Sequence, residues 1–269
     1  MTSPPTPEAA WSAATGVFLL LLLGSGVCLF VPRYRKRFAT LVALVPLIFL
    51  PAYWGAWVWA LLVAGLTTGA AWEMASLGRN WPQPPGHRAG LIGLLPLAIH
   101  LHALCFTAVS VLLTLRRPRM LLLILMPGLS FSCLVVLRDQ PQGFSKLVFL
   151  LMVVQLGEVA ALLGGGVWGN RPLAPRVSPG KTREGAFCGL LGSGVAGLLF
   201  GGPLAYPGSQ LLLVSLVLGL VAQAGDLLAS ALKRSVGLKD FGRLLPGHGG
   251  ILDRFDGYLT AAPLSVLLL

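Results

Sequence analysis

Acidic side chains are scarce in this chain: nine Asp and Glu stand against 20 Lys and Arg in 269 residues, a net charge of +11. Charged residues of either sign make up 11% while 55% are hydrophobic, too little charge to clothe a water-soluble surface. Cysteine is just as sparse. Cys28, Cys105, Cys133 and Cys188 sit singly in apolar stretches, which excludes a disulfide framework and a zinc site. Short alternating strands are missing, so a transmembrane β-barrel is excluded too. Residues 1–10 carry Glu8 but no Lys or Arg. The basic start of a cleavable signal peptide is therefore lacking, and the first apolar run is expected to stay as an anchor. The positive charge is spread over short loops, as positive-inside retention and anionic headgroups require, and no nucleic-acid partner is indicated.

What the chain does have is long apolar runs. They predict an all-α, polytopic helical membrane protein, with spans near 12–31, 39–53, 55–76, 89–115, 119–137, 146–164, 187–206, 210–230 and 257–269. Pro46 and Pro51 make 39–53 a kinked or partial helix. Arg33, Arg35, Lys36 and Arg37 place the loop after the first span in the cytoplasm. Arg116, Arg117 and Arg119 then fall on the wrong side unless 89–115 is a hairpin turning near His100 and His102. That solution gives about nine or ten membrane segments. Under either count, loops 165–186 and 233–256 are two spans apart and share a side, expected to be cytoplasmic. The chain divides into an N-terminal helical region, 1–145, and a C-terminal region, 146–269, that holds both loops.

The first loop is Gly- and Pro-rich and basic, running through Ser178-Pro-Gly-Lys181-Thr182-Arg-Glu184-Gly185 into an apolar helix. Hydroxyls, a Lys and free amides at a helix start suit a polyphosphate. Gly-Lys-Thr is not a P-loop here, because the earlier glycine and the preceding soluble strand are absent. A solvated basic loop is the bland alternative.

The second loop concentrates the acids: Asp226, Asp240, Asp253 and Asp256 fall between 226 and 256, among Lys233, Arg234, Lys239, Arg243 and Arg254. Asp226, Ser230 and Lys233 are spaced i, i+4 and i+7, one stripe on a helix. A carboxylate ending an apolar span is costly unless compensated, and a divalent cation with a phosphate substrate supplies the compensation. The Gly247-His248-Gly249-Gly250 turn lets backbone approach a ligand and exposes amides. A structural salt-bridge cluster would explain neither the glycines nor the Asp253-Arg-Phe-Asp256 spacing.

Ser230-Ala-Leu-Lys233-Arg234, Lys239-Asp240 and His248-Gly-Gly-Ile-Leu-Asp253-Arg254-Phe-Asp256 resemble the signature of the phosphatidate cytidylyltransferase (CDP-diacylglycerol synthase) family. The Ser178 to Gly185 loop resembles the family's second motif, and the resemblance covers about 146–269. It implies a membrane enzyme joining CTP to phosphatidate with magnesium, giving CDP-diacylglycerol and pyrophosphate. By position it makes Asp226 and Asp253 the metal ligands. Lys233, Arg234, Asp240, Arg254 and Asp256 become the catalytic set, and Ser178, Lys181, Thr182, Ser230, Lys239 and His248 the substrate contacts. A cell inner (plasma) membrane location is implied, with a second copy of the chain as a candidate partner.

One departure stands out. Where the family commonly shows Asn-Asp, this chain has Gly157-Glu158. Glu158, at an apolar position of a span, is expected to face the site as a further substrate contact. If the departure marks a decayed enzyme, restoring Asp at 158 together with Asn at 157 should raise activity. The other readings are a non-catalytic or altered-acceptor lipid-binding relative and a transporter. CTP incorporation into lipid separates them.

Overall fold

The computed structural model describes residues 47–76, 118–235, 237–242 and 249–269. The expected spans at 12–31 and 89–115, most of 39–53, the basic cluster at 33–37, Arg243 and His248 lie outside the described residues. These residues form six labelled α-helices: α1 Ala56–Ser76, α2 Pro118–Asp139, α3 Gly143–Trp168, α4 Arg183–Phe200, α5 Gly208–Ser235 and α6 Tyr258–Leu268. They lie where six of the apolar runs predict them. A short helical stretch at 47–54 precedes α1 and breaks at Gly55, whose φ is 155°.

Two of these helices are long and apolar enough to cross a membrane, α3 with 26 residues and α5 with 28. At 1.5 Å per residue they measure about 39 and 42 Å, longer than a hydrocarbon core of about 30 Å. Ala56–Ala70 within α1 and Tyr258–Leu268 are shorter apolar helices. Phe187, Leu191, Val195 and Leu198 of α4, and Leu213, Leu220 and Leu228 of α5, are exposed. Large apolar side chains turned outward on helices of this length describe a helical membrane protein.

The all-α expectation needs one correction. Pro172–Ala174 (β1) and Ser178–Thr182 (β2) pair as a two-stranded antiparallel ribbon. Pro172, Pro175 and Pro179 forbid helix here. The backbone groups pair across the ribbon instead, around a turn closed by Val177 N–H donating to Ala174 O at 3.1 Å.

The described residues fall into two compact units. One takes those of 1–144 and 240–254, the other 145–239 and 255–269. In the first unit, α1 packs on α2 around buried Trp59, Phe131, Leu134 and Leu137. Trp59 Nε1 donates to Leu134 O at 3.1 Å, so the buried indole N–H is satisfied. Arg138 Nε donates to Ala52 O at 2.8 Å while its guanidinium lies over the Phe144 ring.

In the second unit, α4 lies against α5 and α5 against α6. The buried face of α4 is small: Gly185, Gly189, Ser193, Gly194, Ala196 and Gly197, closed by Phe200. Facing it on α5 are Ser215 and Gly219, while Ala222 and Gly225 lie against the 256–260 segment that leads into α6. Lipid tails are as apolar as leucine, so helices in a bilayer associate through close backbone approach and interhelical hydrogen bonds. Both are present. Ser193 Oγ donates to Val153 O at 3.0 Å, Gln223 Nε2 to Ala186 O at 3.1 Å and Thr260 Oγ1 to Val221 O at 2.7 Å. α4 begins at Thr182, whose hydroxyl accepts Gly185 N–H at 3.1 Å, and ends before Gly201-Gly-Pro203.

This packing bears on Gly157. A Cβ there would strike Ser193 Oγ and sit 3.3 Å from Gly189 O. Glycine at 157 is what admits α4 this close to α3. The Asn expected to restore the family pattern has no room. Gly157→Asn should therefore destabilise the protein by about 1–3 kcal/mol, the usual overpacking range. The check is the Tm of detergent-solubilised protein; a Tm at or above the parent's would contradict the close α3–α4 contact.

Candidate active site

The stripe expected on one helix forms. Asp226, Ser230 and Lys233 all lie on α5, which runs past the expected end at 230 to Ser235. Lys233 and Arg234 occupy its last turn, where cations favour the helix dipole. Ser230 Oγ is 3.5 Å from Asp226 Oδ1. Lys181, at the end of β2, reaches across from the first motif loop and forms an ion pair with Asp226. The first motif loop thus meets the stripe on α5 through Lys181 and Asp226.

Asp256 joins them. It is buried just before α6, with Lys233 Nζ 3.9 Å from its Oδ2 and the Gly257 amide donating to its Oδ1 at 2.9 Å. Burial, and then the neighbouring Asp226 carboxylate, push its carboxyl up to about 7; Lys233 and Lys181 oppose the rise. Two carboxylates in contact inside a partly dry site cannot both ionise without added positive charge. Lys181 and Lys233 supply part of it, and the donor set of two hard carboxylates fits a magnesium ion, which commonly takes one or two carboxylates plus phosphate oxygens. Among the described residues, no cluster of three or more His, Cys, Asp or Glu could form a protein-only metal cage.

The expected metal pair was Asp226 with Asp253. In the unit that contains Asp226, the neighbouring carboxylate is Asp256. Asp253 belongs to the other unit, where its Oδ2 accepts the amides of Phe241 at 2.8 Å, Gly250 at 2.9 Å and Gly242 at 3.4 Å. Its Oδ2 orders backbone. Within the glycine turn the Gly250 amide is turned onto Asp253, while Gly247 and His248 lie outside the described residues.

Arg234 has a structural task as well. Its Nε donates to Val177 O at 3.3 Å and its Nη1 to Leu238 O at 2.9 Å, tying the ribbon turn to the chain that leaves α5. Thr182 is the helix cap already described, and Ser178 opens β2 at the other end of the strand, paired with Ala174. Glu184 accepts the amides of Arg171 at 3.2 Å and Asn170 at 3.3 Å. Its own amide and that of Arg171 hold its carboxyl below the usual range. Lys239, Asp240 and Arg254 are exposed. The Glu158 carboxylate borders Gly257, a Cβ on which would lie 3.3 Å from its Oε1, so Glu158 faces the segment that carries Asp256. Spacing alone did not reveal Glu73. It is buried on α1 and accepts the amides of Ile251 and Leu252. The signal was available: a carboxylate ending an apolar run, the same argument that singled out Asp226.

Residues 35–269 match the sequence model of the cytidylyltransferase family. The chain belongs to this family. The chain shares 46% identity over 142 residues with a protein named phosphatidate cytidylyltransferase from Brucella suis biovar 1 (strain 1330), covering 52% of this chain and 53% of the relative. It is 44% identical over 140 residues to the Helicobacter pylori (strain ATCC 700392 / 26695) protein of the same name, covering 51% and 52%. An Escherichia coli (strain K12) relative, Uncharacterized protein YnbB, is 45% identical over 125 residues, covering 45% and 42%. The match thus spans about half the length of these curated relatives.

Replacing Arg234 tests its clamp. Arg234→Ala should speed amide exchange around 177 and 238 at least tenfold while lowering global stability by about 1 kcal/mol or less, as is usual at exposed positions. Arg234→Lys should not restore protection, since an ammonium lacks the two-pronged fork. Unchanged exchange in Arg234→Ala would mean that the guanidinium holds neither segment.

Proposed function

We propose that this protein transfers the cytidylyl group of CTP to phosphatidate, giving CDP-diacylglycerol and pyrophosphate. The observation that carries this reading is the group Lys181, Asp226, Ser230, Lys233 and Asp256, drawn from both motif loops into one unit. The names of the Brucella and Helicobacter relatives agree with it.

The acceptor's phosphate oxygen attacks the α-phosphorus of CTP in line. A P–O bond forms as the bond to the β-phosphate breaks, and pyrophosphate leaves with the electron pair. A phosphate monoester is already a competent nucleophile, so positioning and charge neutralisation carry the rate. Lys181 and Lys233 stand where a triphosphate would meet the carboxylate pair, and each can neutralise a phosphate oxygen. Asp226 and Asp256 would hold magnesium, which when bound screens the phosphate charges. Asp253, the other metal ligand that the family resemblance implies, orders through its Oδ2 the turn that precedes Arg254 and Asp256 in the chain. Lys239, Asp240, His248 and Arg254 supply further polar contacts for the two substrates, and Glu158 limits the space beside Gly257. The acyl chains stay in the bilayer while the headgroup enters from its edge. About nine or ten membrane segments in the inner (plasma) membrane, with both loops cytoplasmic, complete this reading.

Purified protein given labelled CTP and a panel of phospholipid acceptors should label phosphatidate in a magnesium-dependent way, and chelation should abolish incorporation. No incorporation with any acceptor would overturn the assignment. Asp226→Asn and Asp256→Asn should each lower turnover by about 10³-fold or more while leaving membrane insertion intact. Near-normal turnover in either would remove that residue from the centre.

Sidedness has its own test. Gly180, with open space around its Cα, and exposed Ser235 can each be changed to Cys in a background lacking the four native cysteines. A membrane-impermeant thiol reagent should label both only after permeabilisation. Labelling in intact cells would place the loops outside.

A further inference from the structure

Glu73 lies about 180 residues from the motif it touches. It is 2% exposed, near the end of α1, in the same unit as residues 240–254. Its Oε1 accepts Ile251 N–H at 2.8 Å and its Oε2 accepts Leu252 N–H at 3.1 Å. Both oxygens are therefore engaged by consecutive amides of the Gly249-Gly-Ile-Leu-Asp253 turn. The surrounding sequence is shaped to admit this carboxylate. A Cβ at Gly250 or at Gly242 would overlap the Glu73 side chain, and one at Gly69, a turn earlier on α1, would overlap Ile251 Cδ1. Gly249 turns the chain with φ of 80°, a conformation that L side chains rarely adopt.

Asp253 complements Glu73 from within the loop. Asp253 Oδ2 takes the amides of Phe241, Gly242 and Gly250, and Glu73 takes the next two. The two carboxylates thus engage five backbone donors and leave the turn little freedom. Burying a charged carboxylate is costly, and charge-assisted hydrogen bonds to amides are the strong kind that offset it. A residue needed only to fill space beside Ile251 would be apolar.

We propose that Glu73 is a positioning residue for nucleotidyl transfer: its carboxylate fixes the backbone of the 249–253 turn and thereby sets where Asp253 and Arg254 stand. This rests on the proposed reaction and extends it to a helix outside the motif loops. Misplacement of a reacting assembly by about 1 Å can lower a rate by about 10²-fold.

The variant Glu73→Gln keeps the volume but turns an NH2 group onto one of the two amides, donor against donor. Amide exchange at 250–252 should accelerate at least tenfold, with exchange in α4 and α5 unchanged. The kcat for CTP should fall about 10- to 100-fold, and KM for CTP should stay within about threefold of the parent. Gly250→Ala acts on the same contact from the other side, so the double variant should lose no more than the worse single one. If Glu73→Gln does not accumulate in the membrane, Glu73→Asp, which withdraws the carboxylate by about one bond length, is subjected to the same measurements. The proposal is overturned by unchanged exchange at 250–252, by uniform loss of protection across all helices, by an effect confined to KM, or by fully additive losses in the double variant. A parent protein without CTP turnover would sink the proposed reaction instead. The exchange measurement would then still decide whether Glu73 holds the turn.

Discussion

A carboxylate in an apolar, membrane-spanning protein has to be answered by a cation or by backbone amides, and the described architecture follows from how each one is answered. Asp226 is answered by Lys181, and Asp256 by Lys233 with a backbone amide. Asp253, Glu73 and Glu184 accept backbone N–H groups. Two chemical roles separate along this line. In the proposed reaction, the carboxylates facing lysines offer oxygens to the metal. Carboxylates facing amides hold loops, and those loops carry the motifs.

The first motif loop has a rigid platform within the second unit, whose helices meet at glycine, alanine and serine, with hydroxyl and amide side chains bonding to carbonyls of neighbouring helices. Close approach brings the α3, α4 and α5 backbones together while leucines and Phe187 point outward. It also explains the departure at 157–158. Gly157 belongs to the α3–α4 contact, and Glu158, one residue on, turns to the segment carrying Asp256. The altered pair is part of the packing of this chain, which argues against a decayed site.

Local periodicity was readable without coordinates. The i, i+4, i+7 stripe of Asp226, Ser230 and Lys233 needs only 3.6 residues per turn, and helices at 56–76, 118–139 and 143–168 need only sustained apolarity. Pairing between distant segments was not readable in this way. The ribbon at 172–182 escaped because five or fewer residues per strand, with glycine and three prolines, carry no alternation. The charge of Arg234 is visible in sequence, whereas the carbonyls of Val177 and Leu238 to which it donates are not.

By itself, the sequence determined the class of the molecule and its chemical inventory: apolar helices, two polar loops, and the lysines and aspartates able to handle phosphate. Composition and short-range spacing suffice for that, since they express the solvent a segment prefers and the face a side chain occupies. Tertiary structure alone decided that Asp256 is the carboxylate beside Asp226, that Asp253 turns to amides, and that Glu73 reaches across a separation of 178 residues to the motif turn. Those partnerships depend on which helix faces pack together and how closely glycines let them approach, and spacing along one chain does not encode a distance between helices.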